Sequence, residues 1–324
     1  KSGFTAVAVN SNTNPFIDNK SAVEFLINKS FNKAVNLYPI ASLTQKSQGK
    51  EMAELFDMQQ SGAIAFGDYT KPLENDNLMK VALLYAPKNN TIAGEGLVHE
   101  GFNSTKLGLK GIPALAEHLQ IARDLFLLEY TGGKLHIPTI STAKSVALIS
   151  EAKTKGLKVT CSVSAHHLTL TDNELHGFDG NLKVNPPLRS QEDCNTLIEG
   201  VKTGIIDIIT SDHNPIDVEN KKVEFSAAKN GTIGLESCFG AINTILNLNT
   251  SIEAITSKPR HIFRLKPIHI EVGEKADLTL FNPETEYTFT KKEIISISKN
   301  SAFLGKKLKG KAYGIFANNQ LITN

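Results

Sequence analysis

The chain has 324 residues, 40% of them hydrophobic and 21% charged, with a formal net charge of +2. That is ample material for a large core, and a (β/α)8 barrel takes about 250 residues by itself. The near-neutral balance excludes a nucleic-acid footprint or a basic membrane-surface patch, and no apolar run reaches the roughly 18 residues of a transmembrane helix.

Three cysteines, Cys161, Cys194 and Cys238, are odd in number and far apart. They read as free thiols of a reducing, cytoplasmic compartment. No signal-peptide pattern opens the chain. It begins Lys1-Ser2-Gly3-Phe4 and runs straight into an apolar strand, so further residues are expected upstream.

In chain order, six short apolar runs predict buried parallel strands: Phe4 to Val9, Leu37 to Ala41, Ala63 to Phe66, Leu135 to Ile140, Leu157 to Val163 and Ile205 to Thr210. Continuous runs of this length suit strands covered on both faces. Between them, apolar residues recur at helical spacing, as in Ala22-Phe25-Leu26, Met52-Leu55-Phe56, Leu119-Ala122-Leu125-Phe126 and Val146-Ile149-Ala152. Strand and helix in alternation mean βαβ units and a parallel sheet. The closed barrel is preferred to an open doubly wound sheet, because polar residues with chemical potential follow many strands and not one switch point.

A barrel needs eight strands and six are visible. One is expected before Lys1. The other should follow a helix over Asn75 to Ala86, where Pro87-Lys88-Asn89-Asn90 comes at once. Right-handed crossovers do not skip a barrel position, so residues are expected to be missing near Ala86–Asn90. Helical stretches follow around Leu235 to Leu246 and Ile252 to Ser257. From Ala276 the pattern alternates, with a turn expected at Asn282-Pro283 and β runs at Lys311 to Phe316 and Gln320 to Thr323. The expected division is a barrel over 1–268 and a small β part over 269–324. So few strands cannot bury a face alone, and partner strands are expected from the N-terminal side.

The candidate chemistry sits at strand ends. His166 and His167 follow the fifth run, and Asp212 and His213 follow the sixth. A histidine and a carboxylate converging on one barrel mouth are the start of a hydrolytic metal site. The bland alternatives are a packed loop histidine and a capping carboxylate. Asp68, after Phe66-Gly67, is a third candidate ligand or else a turn residue. His136, inside its strand, reads as a core or interface histidine. Asn12, in an Asn-rich loop, is a tight-turn residue or an amide contact to a polar substrate. Lys183-Val184-Asn185-Pro186-Pro187-Leu188-Arg189 is a stiff loop that presents groups to a ligand or caps the helix beyond it.

These stretches together resemble the dihydroorotases, the cyclic-amidohydrolase branch of the amidohydrolase superfamily. The resemblance rests on Asn12-Thr13-Asn14-Pro15, Ala165-His166-His167-Leu168, the Lys183 to Arg189 loop, Thr210-Ser211-Asp212-His213, Gly234-Leu235-Glu236 and Ala276 to Phe281. It implies a TIM-type (β/α)8 barrel with a composite β-sandwich formed by the chain termini. It implies a zinc pair and the interconversion of carbamoyl aspartate and dihydroorotate, a step of pyrimidine biosynthesis. It would make His166 a zinc ligand, Asp212 a ligand and proton shuttle, and Asn12 and Asn185 substrate contacts. A homodimer is the expected assembly.

The departures are concentrated at the metal site. The family's His-x-His would lie before Lys1. Thr139 stands where the family places a ligand histidine, and a hydroxyl is a poor zinc ligand beside imidazole. Tyr69 replaces the second carboxylate of an Asp-Asp-Gly stretch, and Ile216 replaces a histidine beyond Asp212. His166, Asp212 and, as a possible third, Asp68 remain as metal ligands. Zinc is therefore expected to be absent or sub-stoichiometric. Three functions stay open: an active cyclic-amide hydrolase, a non-catalytic structural or regulatory partner of aspartate carbamoyltransferase, and a small-molecule binding protein using Asn12 and Asn185.

Overall fold

The computed structural model describes residues 2–69, 73, 75, 78–79 and 96–323. The helix expected over Asn75 to Ala86 and the break expected near Ala86–Asn90 lie almost wholly outside the described residues.

Two arcs of three parallel strands form the described wall. The first is β1 (Ala6–Val9), β2 (Asn36–Ala41) and β3 (Ala65–Phe66), joined through α1 (Lys20–Ser30) and α2 (Leu55–Gln60). Ala6 lies opposite Asn36, and Ile40 opposite Ala65. Asn19 starts α1 by accepting from the Ala22 amide, which satisfies one of the helix's free N–H groups. All six apolar runs become strands in the expected order; β1 and β3 are shorter than expected, and β2 begins one residue earlier.

Two short strands went unforeseen. β4 (Val98–His99) and β5 (Gly111–Ile112) flank α3 (Phe102–Leu107) and pair with each other, not with either arc. At two residues each, they are below the length at which periodicity carries a signal.

The second arc follows the long helix α4 (Leu115–Thr131). It comprises β6 (Leu135–Ile137), α5 (Ala143–Thr154), β7 (Val159–Ser164), the short helix α6 (Ala165–Thr169), α7 (Gln191–Lys202) and β8 (Ile208–Thr210). Val159 and all of Cys161–Ser164 are buried, as expected of a strand covered on both faces. β8 is shorter than expected, and β7 starts two residues later and ends one residue later. β6 stops at Ile137, short of the expected Ile140. Pro138 has no N–H to extend the ladder, and Thr139 takes a left-handed φ of 51°. Side chains from this arc, among them Ile137, Ile149, Val163, Leu197 and Ile209, belong to one continuous core. A smaller cluster of Ile17, Val23, Ala41 and Met58 lies under α1 and α2.

Helices α8 (Val218–Lys221), α9 (Cys238–Ile245), α10 (Leu248–Ile255) and α11 (Ser257–Ile262) lead to an antiparallel sheet of order β11-β10-β9: β9 (Leu278–Thr288), β10 (Lys307–Ala317) and β11 (Gln320–Thr323). Asn282-Pro283 is not a turn, contrary to expectation. Both residues lie inside β9, where the register with β10 slips between Lys309 and Lys311. Proline cannot donate to the ladder, and a bulge is where a sheet tolerates it. The Asn243 amide, reaching out of α9, donates to the carbonyls of Pro283 (2.8 Å) and Lys309 (3.0 Å). It thus supplies hydrogen bonds where the ladder is interrupted. Gly310 sits at this slip with φ 104°, and a Cβ there would come within 2.9 Å of Asn243 and Phe239.

The sheet is tied to the start of the chain. Thr279 Oγ1 donates to the Gly3 carbonyl at 2.8 Å. Asn318 donates to Lys33 O (2.9 Å) and Asn36 Oδ1 (3.0 Å), and Gln320 to Asn32 O (2.8 Å). Among the described residues, no helix is long and apolar enough to cross a membrane.

Candidate active site

The site forms where β3, β7 and β8 end. β7 passes directly into α6, whose first turn carries both histidines. Ser164 caps that helix, its hydroxyl accepting from the His167 amide. The two rings lie 4.5 Å apart with planes tilted by 43°. They have different work. His167 Nε2 lies 3.0 Å from the Pro186 carbonyl and Nδ1 2.6 Å from Ser164 Oγ. A carbonyl only accepts, so Nε2 carries the proton and Nδ1 accepts from serine. His167 thereby holds the loop that presents Asn185. Burial pushes its imidazole down to about 4, so it stays neutral.

His166 faces the mouth. It is 1% exposed, and its Nε2 has no hydrogen-bond partner. Asp212 Oδ2 lies 3.7 Å from it. Burial holds this imidazole well below its usual range, and the neighbouring His167 ring acts in the same direction. The two rings diverge because they occupy successive positions of α6, about 100° apart around the helix.

Asp212 follows β8 in a left-handed conformation, φ 42°. Gly234 makes room for this turn: a Cβ there would lie 1.9 Å from the Ser211 carbonyl. Next along, His213 Nδ1 accepts from the Gly234 and Leu235 amides, both at 3.3 Å. Burial raises the Asp212 carboxyl to about 6, a shift partly offset by the hydrogen bond it receives from Tyr69. That bond crosses the mouth, from the Tyr69 hydroxyl to Asp212 Oδ1 at 3.1 Å. Burial and the neighbouring carboxylate raise the tyrosine well above the usual phenol range, so the hydroxyl keeps its proton.

Asp68 does not join this pair. It is 1% exposed, and its carboxylate accepts from the Leu43 amide (2.9 Å), the Thr44 amide (3.0 Å) and the Thr44 hydroxyl. It fastens the end of β2 to the end of β3. Asn12 is exposed at the rim, while the neighbouring Ser11 hydroxyl donates to Gly67 O at 2.8 Å. Asn185 is half-buried beside Pro186. Thr139 is half-buried at the end of β6, its amide donating to Ser162 Oγ at 3.2 Å. The backbone of Ile216 is held by Asn300 and Ser298, which leaves only its alkyl side chain to offer. His136 is half-buried in β6. It contacts Thr160 Oγ1 and Ser162 Oγ, and burial lowers it to about 4.

One buried network was not foreseen. Arg189, 4% exposed, donates to Ser141 Oγ (2.9 Å), His99 Nδ1 (3.1 Å) and Ile112 O (3.2 Å), and lies 3.7 Å from Glu117. Glu117 also accepts from the Ser141 amide and the Ser141 and Ser145 hydroxyls. The signal was present: Glu117, Gln120 and Asp124 share the buried face of α4 with Ile121, Leu125 and Leu128. A polar residue on an apolar stripe is a demand for a buried partner.

A catalytic zinc needs three protein donors and an open position. Among the described residues, no group of three or more His, Cys, Asp or Glu side chains converges to hold a metal. His166 and Asp212 supply two donors, Asp68 is occupied elsewhere, and a phenol lies on Asp212. These residues do not fit a zinc pair.

A parallel barrel with imidazole and carboxylate at the C-terminal ends of its strands is the scaffold of the amidohydrolases. The backbone superimposes on an L-hydantoinase (dihydropyrimidinase) from Arthrobacter aurescens with a TM-score of 0.85, at 21% identity, over 100% of this chain and 78% of that one. A D-hydantoinase from Thermus sp. gives 0.82 at 19% identity, with the same coverage. The chain therefore has the TIM-type barrel fold of these enzymes. Residues 1–145 match the family model described as dihydro-orotase-like. A dihydroorotase of Trichlorobacter lovleyi is 40% identical over 96% of this chain and 77% of its own length. One of Ruminiclostridium cellulolyticum is 42% identical over 96% of this chain and 76% of its own length. The chain belongs to the dihydroorotase family.

Proposed function

We propose that this protein is a dihydroorotase-family barrel of pyrimidine biosynthesis whose own interconversion of carbamoyl aspartate and dihydroorotate is weak or lost. One observation carries this reading: the Tyr69 hydroxyl bonds the carboxylate that the family resemblance makes both a ligand and a proton shuttle. A cyclic amide is a poor electrophile, and the family's chemistry relies on metal ions to activate water and polarise the carbonyl. With two donors in place, zinc binds sub-stoichiometrically. Asp212 and a neutral His166 remain as a buried acid–base pair, and Asn12 and Asn185 remain as amide contacts for a carboxylate-bearing ligand.

In the alternative reading, this chain is a non-catalytic structural or regulatory partner of aspartate carbamoyltransferase, in the cytoplasm and as a homo-oligomer. The barrel comprises residues 1–268 and the β part residues 269–324. The deciding experiment is elemental analysis of purified protein with a dihydroorotate hydrolysis assay. The expected result is under one zinc per ten chains and hydrolysis at background. Two metals per chain with family-level turnover would refute the reading. Co-purification with the carbamoyltransferase then separates the partner role from a free-standing binding protein.

A further inference from the structure

Tyr69 is more than a missing carboxylate. Its backbone is fixed on both sides of the strand end. Asp68 is bonded to Leu43 and Thr44, Ser11 Oγ holds Gly67 O, and the Tyr69 amide reaches Ser11 Oγ at 3.5 Å. From that anchored position the side chain spans the mouth to a residue 143 positions later in the chain. The carboxylate it reaches is divided between two neighbours. Oδ1 receives the phenol, and Oδ2 lies 3.7 Å from the unpartnered Nε2 of His166.

That second spacing is close to a metal bite. Two donors about 2.0–2.1 Å from a tetrahedral ion stand roughly 3.4 Å apart. His166 and Asp212 are thus a few tenths of an ångström too wide. A buried Nε2 with no partner is what an imidazole ligand leaves behind when nothing binds it. The two atoms are in place. What opposes a cation is the phenol, which occupies one carboxylate oxygen and brings a proton where a further anionic donor would have to stand.

We infer that Tyr69 is the residue that keeps the His166–Asp212 pair free of divalent metal, its hydroxyl standing in for a metal bond to Asp212. This rests on the metal-poor reading above and names the side chain responsible. Two consequences follow. Removing the hydroxyl alone frees Asp212 Oδ1. Replacing the ring with a carboxylate adds a donor to two that are already positioned.

The test is a Co2+ titration of the intact chain, followed by visible absorption, with Tyr69→Phe and Tyr69→Asp beside wild type. Far-ultraviolet circular dichroism of each variant checks that the barrel is folded. Tyr69→Phe is expected to bind Co2+ about tenfold more tightly than wild type. Tyr69→Asp is expected to bind more tightly again and to show the intense band of a low-symmetry site. Adding Asp212→Asn to Tyr69→Asp is expected to abolish the gain. Folded variants that bind Co2+ no better than a metal-free wild type overturn the inference while the metal-poor reading stands. A gain that survives Asp212→Asn also overturns it, because the ion then lies elsewhere. Wild type purified with a full complement of metal on this pair overturns both.

Discussion

Replacing Asp68 tests whether a carboxylate at a barrel mouth holds the fold together or holds an ion. Asp68→Ala leaves the Leu43 and Thr44 amides buried without an acceptor and releases the Thr44 hydroxyl, which itself accepts from the Gly49 amide at 2.9 Å. A buried donor stripped of its partner costs about 1–3 kcal/mol. Two amides and a hydroxyl therefore amount to about 4 kcal/mol, a large part of the roughly 5–15 kcal/mol that keeps a domain folded. Asp68→Asn keeps an oxygen for the two amides, and the Thr44 hydroxyl can turn to accept from the new NH2 group. The expected cost is about 1 kcal/mol. Urea unfolding followed by circular dichroism measures both variants. If Asp68→Ala stays within about 1 kcal/mol of wild type, the carboxylate is not the clamp described, and a ligand role returns.

Other perturbations address the remaining parts. Arg189→Met leaves Glu117 charged and buried without its guanidinium and should destabilise by about 3 kcal/mol, while adding Glu117→Gln should recover much of that loss; denaturant midpoints of the three variants check it. His167 stays neutral in the fold down to about 4 while an unfolded histidine protonates near 6.5. Its contribution is therefore present above pH 6.5 and is lost as the pH falls towards 4, and His167→Gln should flatten stability over that window. Asp212 has the opposite sign: its folded value of about 6 lies above the usual carboxylate range, so it stabilises at low pH and that effect fades as the pH rises from about 4 through 6. Asp212→Asn should remove this slope in the same melts. Thr139→Gly should stabilise by about 1 kcal/mol, because a β-branched residue at φ 51° gives way to one with no Cβ; a lower melting temperature would contradict it.

The barrel was legible because its strands are continuous apolar runs, and such runs have few alternatives in a chain that alternates them with amphipathic helices. The boundaries were less so. Pro138 and Thr139 ended β6 through backbone geometry that hydrophobicity does not encode. Pro283 suggested a turn because its usual meaning is local, whereas here the Asn243 amide from a distant helix supplies the hydrogen bond that makes a bulge tolerable. At the site, the pairing of His166 with Asp212 followed from their positions after two strands. The division of labour between His166 and His167 did not, since it depends on which ring reaches the Pro186 carbonyl. Tyr69 was visible only as a substitution. That its hydroxyl spans the mouth is a property of the folded barrel.

The seam between β1–β2 and the antiparallel sheet has a bearing on how the protein is made. Gly3, Asn32 and Lys33 receive hydrogen bonds from Thr279, Gln320 and Asn318, partners separated by 276 to 288 positions. Contacts of such range close late, because the loop between them must first be confined. During synthesis the β1–β2 edge must wait, open to solvent, until β9 to β11 have been made. Loss of the short segment that carries Asn318 and Gln320 would leave that edge unfastened, with a cost out of proportion to the length of peptide lost.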